Sequence, residues 1–379
     1  MFLKEDTITK EQVMSHLNDL DRNKTSIEAD LKTVSEWDVS QGNFNVTLEG
    51  KSYRFGNWAQ SQLLRKLKIP KSYFVSCSED LRNKELKEGL EKLGKGTENR
   101  FKIWLNPQTH EQIVYGFTPI KCRDMLSGEI MEQVLNGMGS QEGVFINEFD
   151  SDLESMRIRF VNQKNSYVEV DEEFPAVDFV FSEVLKTPIK LQSVLYRKVC
   201  SNGLVIPQEM NQSFKMPLPH FKPDIFDLQI QYVENSTSGL DAITKTIEAL
   251  KGITLPEALI EPDKDEKNLF DDIFEYVLPS RGLRSDYGSL IRAEYNQEGN
   301  LTVNGVVNAT TKIARDIKDE TKVSLESSAG MFVSKIAVMD EHTKSSGGTF
   351  DYTKENIDKI FKKRRKLGGA AQNPTTAMV

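Results

Sequence analysis

The chain has little on which metal or redox chemistry is ordinarily built. Its three cysteines, Cys77, Cys122 and Cys200, lie far apart with no Cys-x-x-Cys pair, and four histidines (His16, His110, His220, His342) are equally scattered. A zinc site normally shows at least one close ligand pair, so no metal and no cofactor is expected, and the cysteines read as reduced, buried side chains. No apolar run approaches the roughly 18–20 residues that span a bilayer. The N-terminus, MFLKEDTITKEQV, turns acidic and polar within five residues and lacks the apolar core of a signal peptide. The expectation is a protein of the cytoplasm of whatever cell makes it, with no membrane partner. Gly-x-Ser-x-Gly, His-Glu-x-x-His and kinase-type motifs are missing, and Arg281-Gly-Leu-Arg284 is too irregular for a phosphate loop. No catalytic constellation stands out, which favours a non-enzymatic role.

What is present is a well-charged globular composition. Hydrophobic residues are 38% and charged residues 28%, too apolar for a disordered chain and too charged for a fibrous one. At 379 residues there is room for one large or two ordinary domains. The net charge of −8 hides an asymmetry: from Lys354 onward seven basic and two acidic residues give +5, leaving −13 for the body. Such a body is a poor general surface for nucleic acid, whereas the tail is a local one.

Along the chain, residues 8–33 read as a helix with capping threonines. NFNVTLEGKSYRF (43–55) alternates about Glu-Gly as a hairpin, and NWAQSQLLRKLKIP (57–70) puts Ala59, Leu63, Leu64 and Leu67 on one helical face before Pro70. FKIWLNPQTHEQIVYGFTPI (101–120) is a second hairpin, with a helix over 122–138. From 143 to 206, GVFINEF, SMRIRFVN, AVDFVFSEV, IKLQSVLYRKVC and LVI predict a sheet of about five or more strands, rich in β-branched and aromatic residues. A tight Asn202-Gly203 turn is expected to close it. The fold class is therefore α+β: a largely antiparallel sheet with flanking helices, then a mainly helical C-terminal region. The expected divisions are a helical segment 1–36, a mixed sheet domain 37–206, a proline-rich connector 207–223, a helical domain 224–344, and a basic helix with a tail, 345–379.

Two groups of cations suggest a nucleic-acid surface. Arg157 and Arg159 share a strand face by the two-residue alternation, with Arg197 on a later strand and Phe145, Phe160 and Tyr196 nearby. Such a face holds single strands by charge and stacking, unless it is an exposed face carrying cross-strand ion pairs to Glu148 or Glu154. Lys362, Lys363, Arg364, Arg365 and Lys366 form a second block at a helix end, where cations complement the dipole and invite phosphate. The acidic residues Asp263, Asp265, Glu266, Asp271 and Asp272 lack the spacing of a calcium loop and read as a solvated loop. Cys200 would need a nearby base to act as a nucleophile, and no histidine lies close in sequence.

Several stretches together resemble a known family. The hairpin followed by WAQSQLLRKLKIP, then VYGFTPIKCRDML, FVFSEVLKTPIKLQSVLYRKVCSNGLV, and NGVVNATTKIARD with SLESSAGMF are similar, in that order, to the phage/plasmid-like family called domain of unknown function 932. The likeness spans roughly residues 40–340. It is sharpest at Tyr196-Arg197 through Cys200-x-Asn202-Gly203-Leu204 and at Asn308-Ala309-Thr310-Thr311. The chain departs from the family at VNGVV, where an aromatic residue usually precedes Asn-Ala. The resemblance implies a gene of phages, plasmids and integrated elements and supplies no reaction. The expected function is a DNA-metabolism protein that binds or anneals single-stranded DNA or RNA, as a homo-oligomer. The other reading is an assembly or counter-defence protein docking a host protein.

Overall fold

The computed structural model describes residues 2–3, 8–32, 36–40, 43–94, 97–138, 143–162, 173–197, 202–205, 214–216, 238–260, 268–317 and 320–367. The chain forms two compact units. The first takes Met1–Phe160, Asp178–Leu191 and Phe214–Gln231, and the second takes Val161–Val177, Gln192–Ser213 and Tyr232–Val379. The architecture is α+β, with antiparallel or mixed sheets and helices concentrated toward the C-terminus.

The first unit opens with helix α1 (Lys10–Asp21). Thr9 caps it: its hydroxyl accepts from the Gln12 N–H, and the Gln12 side chain accepts from the Thr9 N–H. The helix expected over 8–33 stops at Asp21, because residues 24–30 form strand β2 (Lys24–Asp30). Thr25, Ser26 and Ile27 are weak helix formers, and β2 instead pairs along β6 (Glu98–Leu105), from Lys24 opposite Trp104 to Asp30 opposite Glu98. Tertiary pairing overrides the local pattern there.

Strands β3 (Glu36–Ser40), β4 (Asn43–Leu48) and β5 (Lys51–Phe55) form a meander. Its second turn is Glu49-Gly50, with φ of 49° and 76°. Positive φ at both central residues matches the right-handed twist of the paired strands. Three helices follow, α2 (Asn57–Lys66), α3 (Lys71–Ser76) and α4 (Glu79–Glu91), and the chain returns through β6 to β7 (Gln112–Pro119). The sheet order is β2-β6-β7-β5-β4-β3. Phe44, Phe55, Phe101 and Phe117 form a continuous apolar layer with Ala59, Leu63, Leu64 and Phe74 of the helices. Each buried phenylalanine stabilises by about 1.5–3 kcal/mol.

Helix α2 is fixed by polar contacts as well. Gln62 receives the Phe117 N–H at 3.0 Å and donates to the carbonyls of Phe117 and Val184, while the Trp58 indole N–H donates to Val184 at 2.9 Å. Val184 packs so closely over β7 that a Cβ on Gly116 would meet it at 2.5 Å, which explains the glycine inside a strand.

Helix α5 (Ser127–Gly137) precedes the second sheet, built of β1 (Phe2–Leu3), β8 (Val144–Ser151), β9 (Met156–Asn162), β10 (Glu173–Phe181), β11 (Ile189–Arg197) and β12 (Asn202–Val205) in that spatial order. The five strands expected between 143 and 206 are present. The Asn-Gly turn is not where the sequence pattern puts it. Asn202 and Gly203 are paired inside β12, opposite Arg197 and Tyr196, and are therefore not the turn; residues 198–201 lie outside the described residues. Part of the expected connector is also a strand: β13 (Phe214–Met216) pairs with Ile189–Leu191 of β11.

The second unit holds α6 (Ser238–Lys251), α7 (Leu269–Val277), α8 (Arg281–Glu298), α9 (Val303–Arg315), α10 (Glu320–Ser345) and α11 (Lys354–Leu367). Their core runs from Ile243, Phe270 and Phe274 through Tyr295, Val306 and Phe332 to Ile357, with Leu195 of β11. Among the described residues no helix is long and apolar enough to cross a membrane.

Candidate nucleic-acid interface

The alternation that put Arg157 and Arg159 on one face of β9 is correct, but that face is not open to solvent. Arg157 is 8% exposed and Arg159 1%, and both turn onto the fully buried Asp178 of β10. Arg157 Nε donates to Asp178 Oδ2 at 3.0 Å, and Arg159 donates from Nε and Nη2 to the two carboxylate oxygens at 2.6 and 2.9 Å. Glu148 of β8 lies 3.6 Å from Arg159. Burial by itself would raise the Asp178 carboxyl, but the two guanidiniums outweigh it and hold the group far below the ordinary carboxylate range. Phe160 and Tyr196 are buried too. The nucleic-acid role expected of Arg157 and Arg159 is corrected accordingly: their donors are spent inside the sheet, since a buried guanidinium persists only when paired. Of the acids weighed as partners, Glu148 pairs with Arg159, while Glu154 pairs with Lys186 at 2.9 Å. The side chain of Arg197, like Lys198 and Cys200, lies outside the described residues.

A second buried ionic group lies in the first unit, and no sequence motif announced it. Lys24 of β2, its side chain 1% exposed, pairs with Asp21 at 2.9 Å and with Glu183 at closer range. Lys102 of β6 pairs with Asp124 and stands 4.0 Å from Glu183. Burial opposes the charge on Lys24, but Glu183 and Asp21 prevail and hold its ammonium above the usual range. Burial pushes the Glu183 carboxyl up, against the pull of Lys24 and Lys102. The Tyr115 ring lies 5.7 Å from the Lys24 ammonium, and burial followed by the Glu183 charge keeps the phenol protonated far above its normal range. The Asp21 carboxylate also accepts the Gly128 N–H at 2.8 Å, tying the start of α5 to the end of α1. The group ties five segments together. Lys102 sits in the alternating run FKIWL, where a lysine reads as solvent-facing, so only the fold reveals it.

The remaining chemical candidates are accounted for locally. Cys77 and Cys122 are buried free thiols, and burial pushes the Cys122 thiol up. His16 bonds the Ser151 hydroxyl at 2.8 Å, and burial lowers its pKa. Asp271 is buried against Arg292 at 2.7 Å, and that guanidinium lies over the rings of Phe270 and Phe274. Asp272 lies 3.8 Å from Lys354. Residues 261–267, with Asp263, Asp265 and Glu266, lie outside the described residues. Among the described residues no group of three or more His, Cys, Asp or Glu is placed to hold a metal ion.

The basic block continues α11, and that helix is docked. Ile357 is fully buried, Phe361 stacks on Tyr276 and Phe332 with centroids 4.9 and 5.3 Å away, and the Tyr276 hydroxyl donates to Asp358 at 3.1 Å. Lys362, Lys363, Arg364, Arg365 and Lys366 follow Phe361 in the same helix, their side chains outside the described residues. The chain matches no family model, no curated protein and no solved structure.

Proposed function

We propose that this protein binds single-stranded nucleic acid without catalysing a reaction, as a DNA-metabolism component of a phage or plasmid element, and that α11 supplies the phosphate contacts. One observation carries the reading: five consecutive cations extend a helix whose preceding turn is clamped by Ile357 and Phe361. A docked helix presents its charges at lower entropic cost than a free tail. The resemblance to the phage/plasmid-like family supports the setting, and the reading includes a homo-oligomer along the strand. Neutralising four or five phosphates gives a slope of log K against log salt near −3 for single strands, at about −0.7 per contact. Salt-titrated anisotropy with labelled oligo-dT tests it, with Lys362–Lys366 changed to glutamine as the comparison. Absence of binding at low salt, or an unchanged slope in the glutamine variant, defeats the proposal.

The alternative reading, docking of a host or assembly protein, draws on one feature. Met331, Val338 and Met339 of α10 are 39–43% exposed at seven- and eight-residue spacing, which places them on one helical stripe. Light scattering and pull-down with a variant carrying serine at these positions separate it from the first.

A further inference from the structure

The first unit carries a cationic, aromatic corner that the sequence patterns did not single out. Between Glu49 and Glu79 the chain has six lysines and arginines and no acid, within a protein of net charge −8. Four of these, Arg65, Lys66, Lys68 and Lys71, fall at the end of α2 and the start of α3. Arg65, Lys68 and Lys71 are exposed, and among the described residues none of the three is ion-paired. Trp58, Ser61 and Arg65 share the outer face of α2 by helical spacing. The Arg65 guanidinium lies 5.2 Å from the centre of the Trp58 indole, and the Lys71 ammonium reaches back to the Ser61 hydroxyl at 3.2 Å. Two cations and an indole are thereby gathered on one surface. Tyr73 and Val75 of α3 add exposed apolar area beside them, 43% and 60% exposed.

Local stability does not account for this set. Arg65 and Lys66 complement the C-terminal dipole of α2, as cations commonly do. Lys68 does not fit that explanation: it follows the C-cap with φ of 60°, where its N–H bonds the Arg65 carbonyl and the Ile69 N–H bonds Leu64. This left-handed helix stop is usually glycine, because a side chain there is strained. Lys71 is the first residue of α3, where a cation opposes the dipole and an acid is preferred. Two of the lysines thus stand where folding alone favours another residue, a pattern associated with function. Tyr73 donates to Glu85 at 3.1 Å, which pushes its phenol up to about 12, so it brings an uncharged ring to the corner.

We infer that the corner formed by Trp58, Arg65, Lys68, Lys71 and Tyr73 binds single-stranded nucleic acid, with the cations on successive phosphates and the Tyr73 ring against a base. The inference rests on the proposed ligand but not on α11, since every residue here belongs to the first unit. Charge plus stacking on exposed bases is how sequence-tolerant single-strand binders gain affinity.

The test uses the full chain, labelled oligo-dT and four proteins: wild type, R65Q/K68Q/K71Q, Y73A, and the Lys362–Lys366 glutamine variant. All the altered side chains at the corner are exposed, and thermal melts check that the variants stay folded. The triple variant should lower the magnitude of the salt slope by roughly 2, at about 0.7 per contact. Y73A should weaken binding about tenfold with an unchanged slope, the size of one base–aromatic stack. A wild-type slope in the triple variant, with loss only in the α11 variant, overturns the corner site and leaves the proposed function standing. No binding by the wild type removes both. Competition by inorganic polyphosphate equal to that of oligo-dT, with Y73A unchanged, overturns the base contact and marks a general anion surface.

Discussion

Replacing Asp178 by asparagine tests the buried ionic centre of the sheet most directly. Asp178 is fully buried and answers two guanidiniums, Arg157 and Arg159, with Glu148 beside the second. Removing its charge while keeping its shape leaves two buried cations short of a counter-charge, a loss of about 3–5 kcal/mol by comparison with other broken buried pairs. That is a large part of the 5–15 kcal/mol of ordinary net stability. With an m-value of about 3 kcal/mol/M, the urea midpoint should fall by roughly 1–1.7 M. All three tryptophans, Trp37, Trp58 and Trp104, belong to the unit that contains Asp178, so their fluorescence reports the relevant transition. The pH dependence has a definite sign. The folded carboxyl lies well below the ordinary aspartate range, so its contribution is present above that range and is lost as pH falls through the folded value. The gap between wild type and D178N should be full at pH 7 and shrink below about pH 4. A midpoint shift equivalent to less than about 1 kcal/mol, or a gap that widens on acidification, would refute the account.

Other substitutions probe other links. Lys24→Met leaves Glu183 and Asp21 facing each other without their shared cation, and should cost about 3–5 kcal/mol near neutral pH by urea denaturation. Because burial raises the folded Glu183 carboxyl, that penalty should be greatest above its folded pKa and ease as acidification protonates it. Gly116→Ala forces a methyl into Val184 and should destabilise by about 1–3 kcal/mol. A double-mutant cycle with Val184→Ala should recover part of that loss, and strict additivity would count against the contact. Lys68→Gly relieves a left-handed lysine and should raise stability by about 1 kcal/mol in thermal or urea unfolding. The same change should weaken oligo-dT binding; a variant both more stable and equally tight would separate strain from function.

Local chemistry alone determined a good share of this molecule. The Glu49-Gly50 hairpin, the Thr9 capping box, the five strands between 143 and 206 and the terminal helix up to the basic block all follow from propensity and spacing, because each is decided by residues within a few positions of one another. Residues 24–30 became a strand because the edge of β6 accepts them, and Asn202-Gly203 lies within β12 because pairing with β11 sets the register. Partnership across 19 or more positions was decisive for charge: the pattern shows that Arg157 and Arg159 share a face, but only β10, bringing Asp178 against them, makes that face interior. Lys24 and Lys102 likewise have the composition of surface residues and the burial of a core, since Glu183 arrives from 159 positions beyond Lys24. The cations of the α2–α3 corner are ordinary in sequence. The folded chain distinguishes Arg65, Lys68 and Lys71 by leaving them exposed, with no ion pair among the described residues and, at Lys68, in a conformation that favours glycine.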